Sequence, residues 1–287
     1  MRTRCAVLFA GVLVAVIPQW AQPAAKARAE SRTWTPPRTA DGDPDLEGAW
    51  TESTITPLER PVPLAAKPYL TDQAAEAYEK RSVAGQAEDR RGGGPEADVA
   101  EKRIADAREP TRLHSTDGPE YRSLWERCLT GGLPLVPGPY NNDFQIMQTA
   151  GYVVILREMI HDARVIPLDG RPYVPPRIRQ WMGDGRSHWE GDSLVVDTTN
   201  FSEKDNFRGS AQNLHLTERF TGVGPDEISC EFTLDDPTTC TRPWTAQVPM
   251  SRPQGEIFEY ACQEGNYALA DILRGARAGE AAKKELK

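Results

Sequence analysis

The chain has 287 residues, with 34 Lys+Arg against 42 Asp+Glu, a formal net charge of −8 and 39 % hydrophobic residues. The length fits one large domain or two small ones, and the apolar content is too high for a disordered chain. The acidic balance gives no electrostatic reason to bind nucleic acid, and five cysteines are too few for a disulfide-dense miniprotein.

The first element in chain order is an address. Arg2 and Arg4 precede an apolar run over 5–17, followed by Pro18 and small residues up to Ala29. This is the pattern of a cleavable secretory signal over 1–29. The run is about 13 residues, short of the roughly 20 that span a bilayer. Cleavage after Ala29 leaves 30 Lys+Arg against 42 Asp+Glu, a net charge of −12; cleavage after Ala25 leaves 32 against 42, or −10. The expected location is secreted or periplasmic. No membrane insertion after cleavage and no nucleic-acid partner are expected.

Residues 30–142 read as cladding. The Pro-rich stretch 30–70 predicts an extended arm that wraps a core through Trp34, Trp50 and Leu58. Thr71 caps a helix over 72–81, with Asp72 near its start and Arg81 near its end. Three glycines and mixed charge make 84–110 a candidate mobile loop, and 119–127 reads as a short helix.

Residues 143–287 have a different texture. Apolar, β-branched and aromatic runs recur at 143–148, 152–160, 163–167, 188–198, 214–221, 228–234, 244–250 and 257–262. Turn residues separate them, and no helical pattern intervenes. The expected fold is mainly β: an antiparallel meander closing into a barrel (lipocalin-like or calycin-like) or a sandwich. A C-terminal helix over 264–273 stops near Gly275. Alternation puts Leu214, Leu216, Glu218 and Phe220 on one strand face, and Ile228, Cys230, Phe232 and Leu234 on another. Glu218 is a carboxylate in an apolar row, read either as catalytic or as a buried acid paired with an arginine.

With the signal removed, Cys128, Cys230, Cys240 and Cys262 remain. An even number in an oxidising compartment suggests two disulfides. Three pairings are possible; the reading adopted is Cys230–Cys240 across the Asp235-Asp236-Pro237 turn, and Cys128–Cys262. Zinc is the rival reading, although no C-x-x-C pair exists.

Five stretches carry a resemblance: RTADGDPDLEGAWT (38–51), CLTGGLP (128–134) with YNNDFQIMQT (140–149), GYVVILREMIHDARVIPLDGRP (151–172), WMGDGRSHWEGDSLVVDTTNF (181–201), and DDPTTCTRPWTAQVPM (235–250) with EYACQEGNY (259–267). Together they resemble a large family of secreted bacterial proteins of unknown function. The resemblance covers nearly the whole mature chain and implies no catalytic residues. The chain departs from that pattern at Gln263, where His is frequent, and at Cys230 and Cys240, where aromatic residues are frequent. The second disulfide is then particular to this protein.

His161, His188 and His215 lie in the strand-rich half, each 27 residues from the next. Histidine suits acid–base work near neutral pH. The three could form a three-histidine zinc site, but no pair has tight metal-ligand spacing, so no cofactor is expected. His188 and Glu190 share a strand face and form the main catalytic pair, with His161, His215 and Glu218. Gly191 and Asp192 read as a tight turn. Glu158, Asp162 and Arg164 share a face as an ionic row. Asp162, Arg164, Tyr152, Trp189 and Arg219 are the candidate ligand-binding residues. Other aromatics, among them Tyr140, Tyr173, Trp181, Trp244 and Tyr260, stack on a sugar or steroid-like ligand or pack a core. Asn200, Asp205 and Asn206 read as turn residues. No G-x-S-x-G elbow, phosphate-binding loop or dinucleotide fingerprint is present.

The sequence therefore points to a secreted enzyme with a small-molecule ligand, acting by general acid–base chemistry as a lyase, isomerase or hydrolase. A non-catalytic barrel that binds an apolar molecule is the alternative. A partner-binding protein clad by its Pro-rich arm is the third reading.

Overall fold

The computed structural model describes residues 34–54, 58, 70–89, 124–137 and 141–285. The expected signal, most of the mobile loop, and residues 55–57, 59–69 and 119–123 lie outside these. Residues 36–287 form one compact unit. Among the described residues, no helix is long and apolar enough to cross a membrane.

Nine strands form one antiparallel sheet: β1 (Gly48–Thr51), β2 (Asp143–Thr149), β3 (Tyr152–Arg157), β4 (Ala163–Pro167), β5 (Asp184–Glu190), β6 (Ser193–Thr199), β7 (His215–Gly224), β8 (Glu227–Asp235) and β9 (Trp244–Ser251). Their order is β4-β3-β2-β1-β9-β8-β7-β6-β5. Two meanders, β2–β4 and β5–β9, are thus joined through β1. Residues 48–51 of the expected arm are an interior strand of the sheet, with Trp50 in the core. The 257–262 segment, expected as a strand, is not one.

Period-two alternation decides which face is covered. On β7, Leu216, Glu218 and Phe220 are buried while His215, Thr217, Arg219 and Thr221 face outward. On β8 the buried set is Ile228, Cys230, Phe232 and Leu234. One cluster fills the inner face, with Trp50, Phe144, Ile155, Ile166, Val196, Phe220 and Met250 drawn from seven strands. Burying each such side chain contributes roughly 1.5–3 kcal/mol.

The sheet curls, but it does not close as the expected barrel would. Its two edge strands, β4 and β5, carry no backbone pairing to each other. They still touch through side chains: Ser187 Oγ on β5 donates to the Pro167 carbonyl on β4 at 3.0 Å, and Gly185 lies against Ile166. Across the interior, Arg164 on β4 reaches Glu218 on β7.

Two helices lie outside the sheet in sequence. In α1 (Asp72–Asp89), Thr71 Oγ1 accepts from the Ala74 N–H at 3.3 Å, the expected N-cap. The helix continues past residue 81 into the stretch expected as loop. The segment 124–128 forms turns rather than a helix. At the C-terminus, α2 (Tyr267–Glu285) runs through Gly275 instead of stopping there.

Candidate functional site

Where β4 and β5 part, a cleft of about 460 Å³ opens. Asp162 to Ile166 line one side, the segment 179–185 entering β5 lines the other, and Leu129 and Thr130 complete it. Its size lies within the range of small-molecule sites.

Asp162 reaches the cleft from a strained turn. The strand expected to run to residue 160 stops at Arg157, and a 3-10 turn follows over Met159–His161. Ile160 has φ 60° and His161 φ 47°. A β-branched residue in the left-handed region is strongly disfavoured, at a cost of about 1–3 kcal/mol. The turn breaks the alternation, so the expected Glu158–Asp162–Arg164 ionic row does not form. Glu158 instead accepts the Phe258 N–H at 3.0 Å, and Arg164 turns inward to Glu218.

The Asp162 carboxylate is held on one oxygen only. Oδ2 accepts Thr130 Oγ1 at 2.8 Å and the Gly131 N–H at 2.7 Å. No described residue bonds Oδ1. Thr130 Oγ1 in turn accepts the Gly132 N–H at 3.0 Å. Gly131 leaves room for this approach: a Cβ there would stand 3.0 Å from Arg157 Nη1 and 3.7 Å from Asp162 Oδ2.

Asp205 sits on the other side of the same turn, its Oδ2 3.0 Å from where a Cβ on Gly132 would be. Burial, and then the charge of Asp162, push its carboxyl up to about 6. The two acids flank the Gly131–Gly132 turn, and Asp205 takes up a proton beside Asp162 in the range where many acid–base catalysts work.

The opposite wall is fixed by backbone. The Gln180 N–H donates to Asn200 O at 3.0 Å, and Gln180 O accepts from Ser202 N–H at 2.8 Å. This tight anchor presents Trp181, which is 39 % exposed. Gly183 has φ 66°, and a Cβ there would come within 2.6 Å of the Thr199 carbonyl. Asp184 accepts the Val174 N–H and is gripped on both oxygens by Arg186.

The C-terminal segment braces the cleft from behind. Cys128 and Cys262 form the expected disulfide, two residues before Thr130. Asn266 Nδ2 donates to Glu126 O at 2.9 Å. Cys262 is in a turn, not in a last strand. The other expected bridge is absent: Cys230 and Cys240 are free. Cys230 points into the core from the middle of β8, while Cys240 lies beyond the end of that strand. Five residues of extended chain, about 17 Å, separate Cys230 from Asp235.

The structure disperses the expected catalytic set. His188 and Glu190 do pair, at 3.0 Å, but both are half exposed on the outer face of β5. Glu190 also pairs with Arg219, and Arg219 and then His188 hold its carboxyl low. His215 stands 3.2 Å from Asp197 on the same outer face. It is four residues from Arg219 along β7, about 14 Å, and Arg219 is in register with His188 through Val195. His161 is exposed at the strained turn. Among the described residues, no group of three His, Cys, Asp or Glu side chains is placed to share a metal ion. Tyr152 accepts from Arg171 on the outer face of β3, and Trp189 is partly buried against the core.

Glu218 is structural in its geometry. Arg164 binds it with two prongs, at 2.5 and 3.1 Å, and both side chains are buried. A second buried pair lies deeper, where Arg157 Nη2 donates to Glu52 at 3.0 Å and to Val136 O at 3.1 Å. Burial raises the Glu52 carboxyl to about 7 against the pull of Arg157. Arg157 Nε is buried without a hydrogen-bond partner among the described residues.

Thr130, Gln180 and Asp205 escape a reading based on residue type, and Trp181 stands out from the other aromatics only in the fold. Asp205 reads as a turn former because its partner, Asp162, is 43 residues away. The glycine pair at 131–132 was the available signal, since it marks close backbone approach. No family model, curated protein or solved structure matches the chain.

Proposed function

We propose that the protein is an exported enzyme that holds a small molecule in the seam cleft and acts on it by acid–base chemistry at Asp162. The observation that carries this reading is the Asp162 carboxylate at the lining of the cleft, anchored through Oδ2 and, among the described residues, unbonded at Oδ1. A fixed carboxylate with one free oxygen is pre-organised to accept a proton from a bound ligand. Asp205 is a positioning residue: its own carboxyl, raised to about 6, sets how much negative charge Asp162 faces. The charged N-region and apolar run over 1–17 support export.

The test uses the mature chain. A metabolite library is screened by thermal shift, and hits are followed by NMR for turnover. Asp162→Asn is expected to retain binding and lose 10²–10⁴-fold in turnover. Turnover that survives Asp162→Asn overturns the assignment. Saturable binding with no turnover in the wild type favours the second reading, a non-catalytic exported binding protein. That reading rests on the same cleft rather than on the interior, which side chains occupy.

A further inference from the structure

The lining of the seam cleft also carries information about what fits it. Resting on the cleft reading above, we propose that its ligand is an uncharged, polyhydroxylated ring compound, such as a neutral sugar or cyclitol.

Charge is the first argument. Four ionisable side chains line the cleft: Asp162, Arg164, Arg179 and Asp184. Glu218 neutralises Arg164 with two prongs, and Arg186 does the same for Asp184. Asp162 and Arg179 remain, with opposite signs. The four charges sum to zero, so the cleft presents no surplus of either sign to draw in a phosphate, a carboxylate or an ammonium group.

Hydrogen-bond capacity is the second. The Arg157 N–H bonds the Asp162 carbonyl, and the Leu168 N–H bonds Gly151 O. With the β3–β4 register, these two bonds fix which residues of β4 face β3. Ala163 and Val165 are the alternate ones. Their N–H and C=O groups point to the free edge, and both residues line the cleft. The Gln180 side-chain amide adds two donors and an acceptor. Alternating donors and acceptors on a rigid frame match hydroxyl groups, each of which donates and accepts.

The third argument is the apolar surface between them. Trp181 is 39 % exposed and Val165 63 % exposed at the cleft. The C–H face of a sugar ring is apolar and flat enough to lie on an indole, while its hydroxyls reach sideways to the polar groups. A purely apolar ligand would leave the edge amides unpaired, and a small ion would leave the indole uncovered.

The experiment is calorimetric titration of the mature chain with glucose, galactose, myo-inositol, maltose, cellobiose and trehalose. Glucose 6-phosphate, glucuronate and glucosamine are the charged counterparts. At least one neutral compound is expected to bind saturably, and at least tenfold more tightly than its charged counterpart. Trp181→Ala is expected to weaken that binding tenfold or more. Val165→Lys, on an exposed strand position that leaves the core untouched, is expected to do the same, and His188→Ala is expected to leave it unchanged. No saturable neutral ligand, or a charged counterpart that binds more tightly than its parent, overturns the proposal. Failure of the catalytic reading looks different: a neutral sugar would bind through Trp181 and remain unconverted. Conversely, Asp162-dependent turnover of a charged compound would keep that reading and overturn this one.

Discussion

Arg164 and Glu218, 54 residues apart in sequence, make a two-pronged ion pair in the interior of the curled sheet, with Arg164 also donating to Thr198 Oγ1 at 3.4 Å. The pair ties an edge strand to the middle of the sheet across the core, where water cannot substitute for either partner.

Removing one partner leaves the other charge buried alone. Glu218→Gln and Arg164→Met are each expected to cost about 3–5 kcal/mol in urea denaturation. The double variant Arg164→Met with Glu218→Leu is expected to recover much of that loss. A double variant as unstable as the worse single one would show that the pair does more than neutralise itself.

Stability should respond to pH through Asp205. Its folded carboxyl titrates at about 6, above the usual carboxylate range. A raised acid binds its proton more tightly in the folded state. Its stabilising contribution is therefore full below pH ~4 and lost as pH rises through about 6. The swing is on the order of 3 kcal/mol. Unfolding midpoints measured from pH 4 to 8 are expected to fall less with pH in Asp205→Asn than in the wild type. Glu52, raised to about 7 by burial, adds to the same downward trend with rising pH.

Gly183→Ala should be costly for a steric reason. Its φ of 66° disfavours any side chain, and the new Cβ would meet the Thr199 carbonyl at 2.6 Å. The expected loss is about 1–3 kcal/mol, with altered ligand binding because Trp181 lies two residues away. Gly191→Ala, where nothing lies within 4 Å, is expected to cost less despite its φ of 62°. Thermal unfolding of the two variants side by side checks this.

The thiols should behave differently from one another. In native buffer a maleimide is expected to label Cys240 and leave Cys230 unlabelled, because Cys230 is sealed in the core. Burial also pushes the Cys230 thiol well above its ordinary range. Peptide mapping after labelling decides. Cys128→Ser with Cys262→Ser is expected to cost about 2–5 kcal/mol, since the bridge closes a long loop.

The strand half of the fold was legible because each strand buries one face, and burial writes period two into the sequence. Leu216, Glu218 and Phe220 sort inward as alternation requires. The edges were less legible. β1 hides in a Pro-rich stretch because four residues are too few to show a period. The run 152–160 looks like one strand because Ile160 is a strand-type residue, and its left-handed φ has no signature in the sequence. That one turn moved Asp162 and Arg164 off a shared face, and the site moved with them. His188 and Glu190 were read correctly as a pair, but which face of β5 they occupy depends on the whole sheet. The cleft itself arises from a missing pairing between β4 and β5, and no local pattern encodes where a sheet fails to close.

The placement of β1 sets an order of events. Thr51 must find Ser251, 200 residues later in the chain, and must also pair with β2. Both meanders can form from neighbours, and their hairpins close quickly. Residues 48–51 leave the ribosome, and reach any export channel, long before the strand they must join. Until β9 arrives, Trp50 has only one of its two neighbouring strands. The backbone continuity of the sheet therefore waits for the far end of the chain, and a protein truncated before residue 244 would hold its two half-sheets together only through side chains such as Arg164 and Glu218.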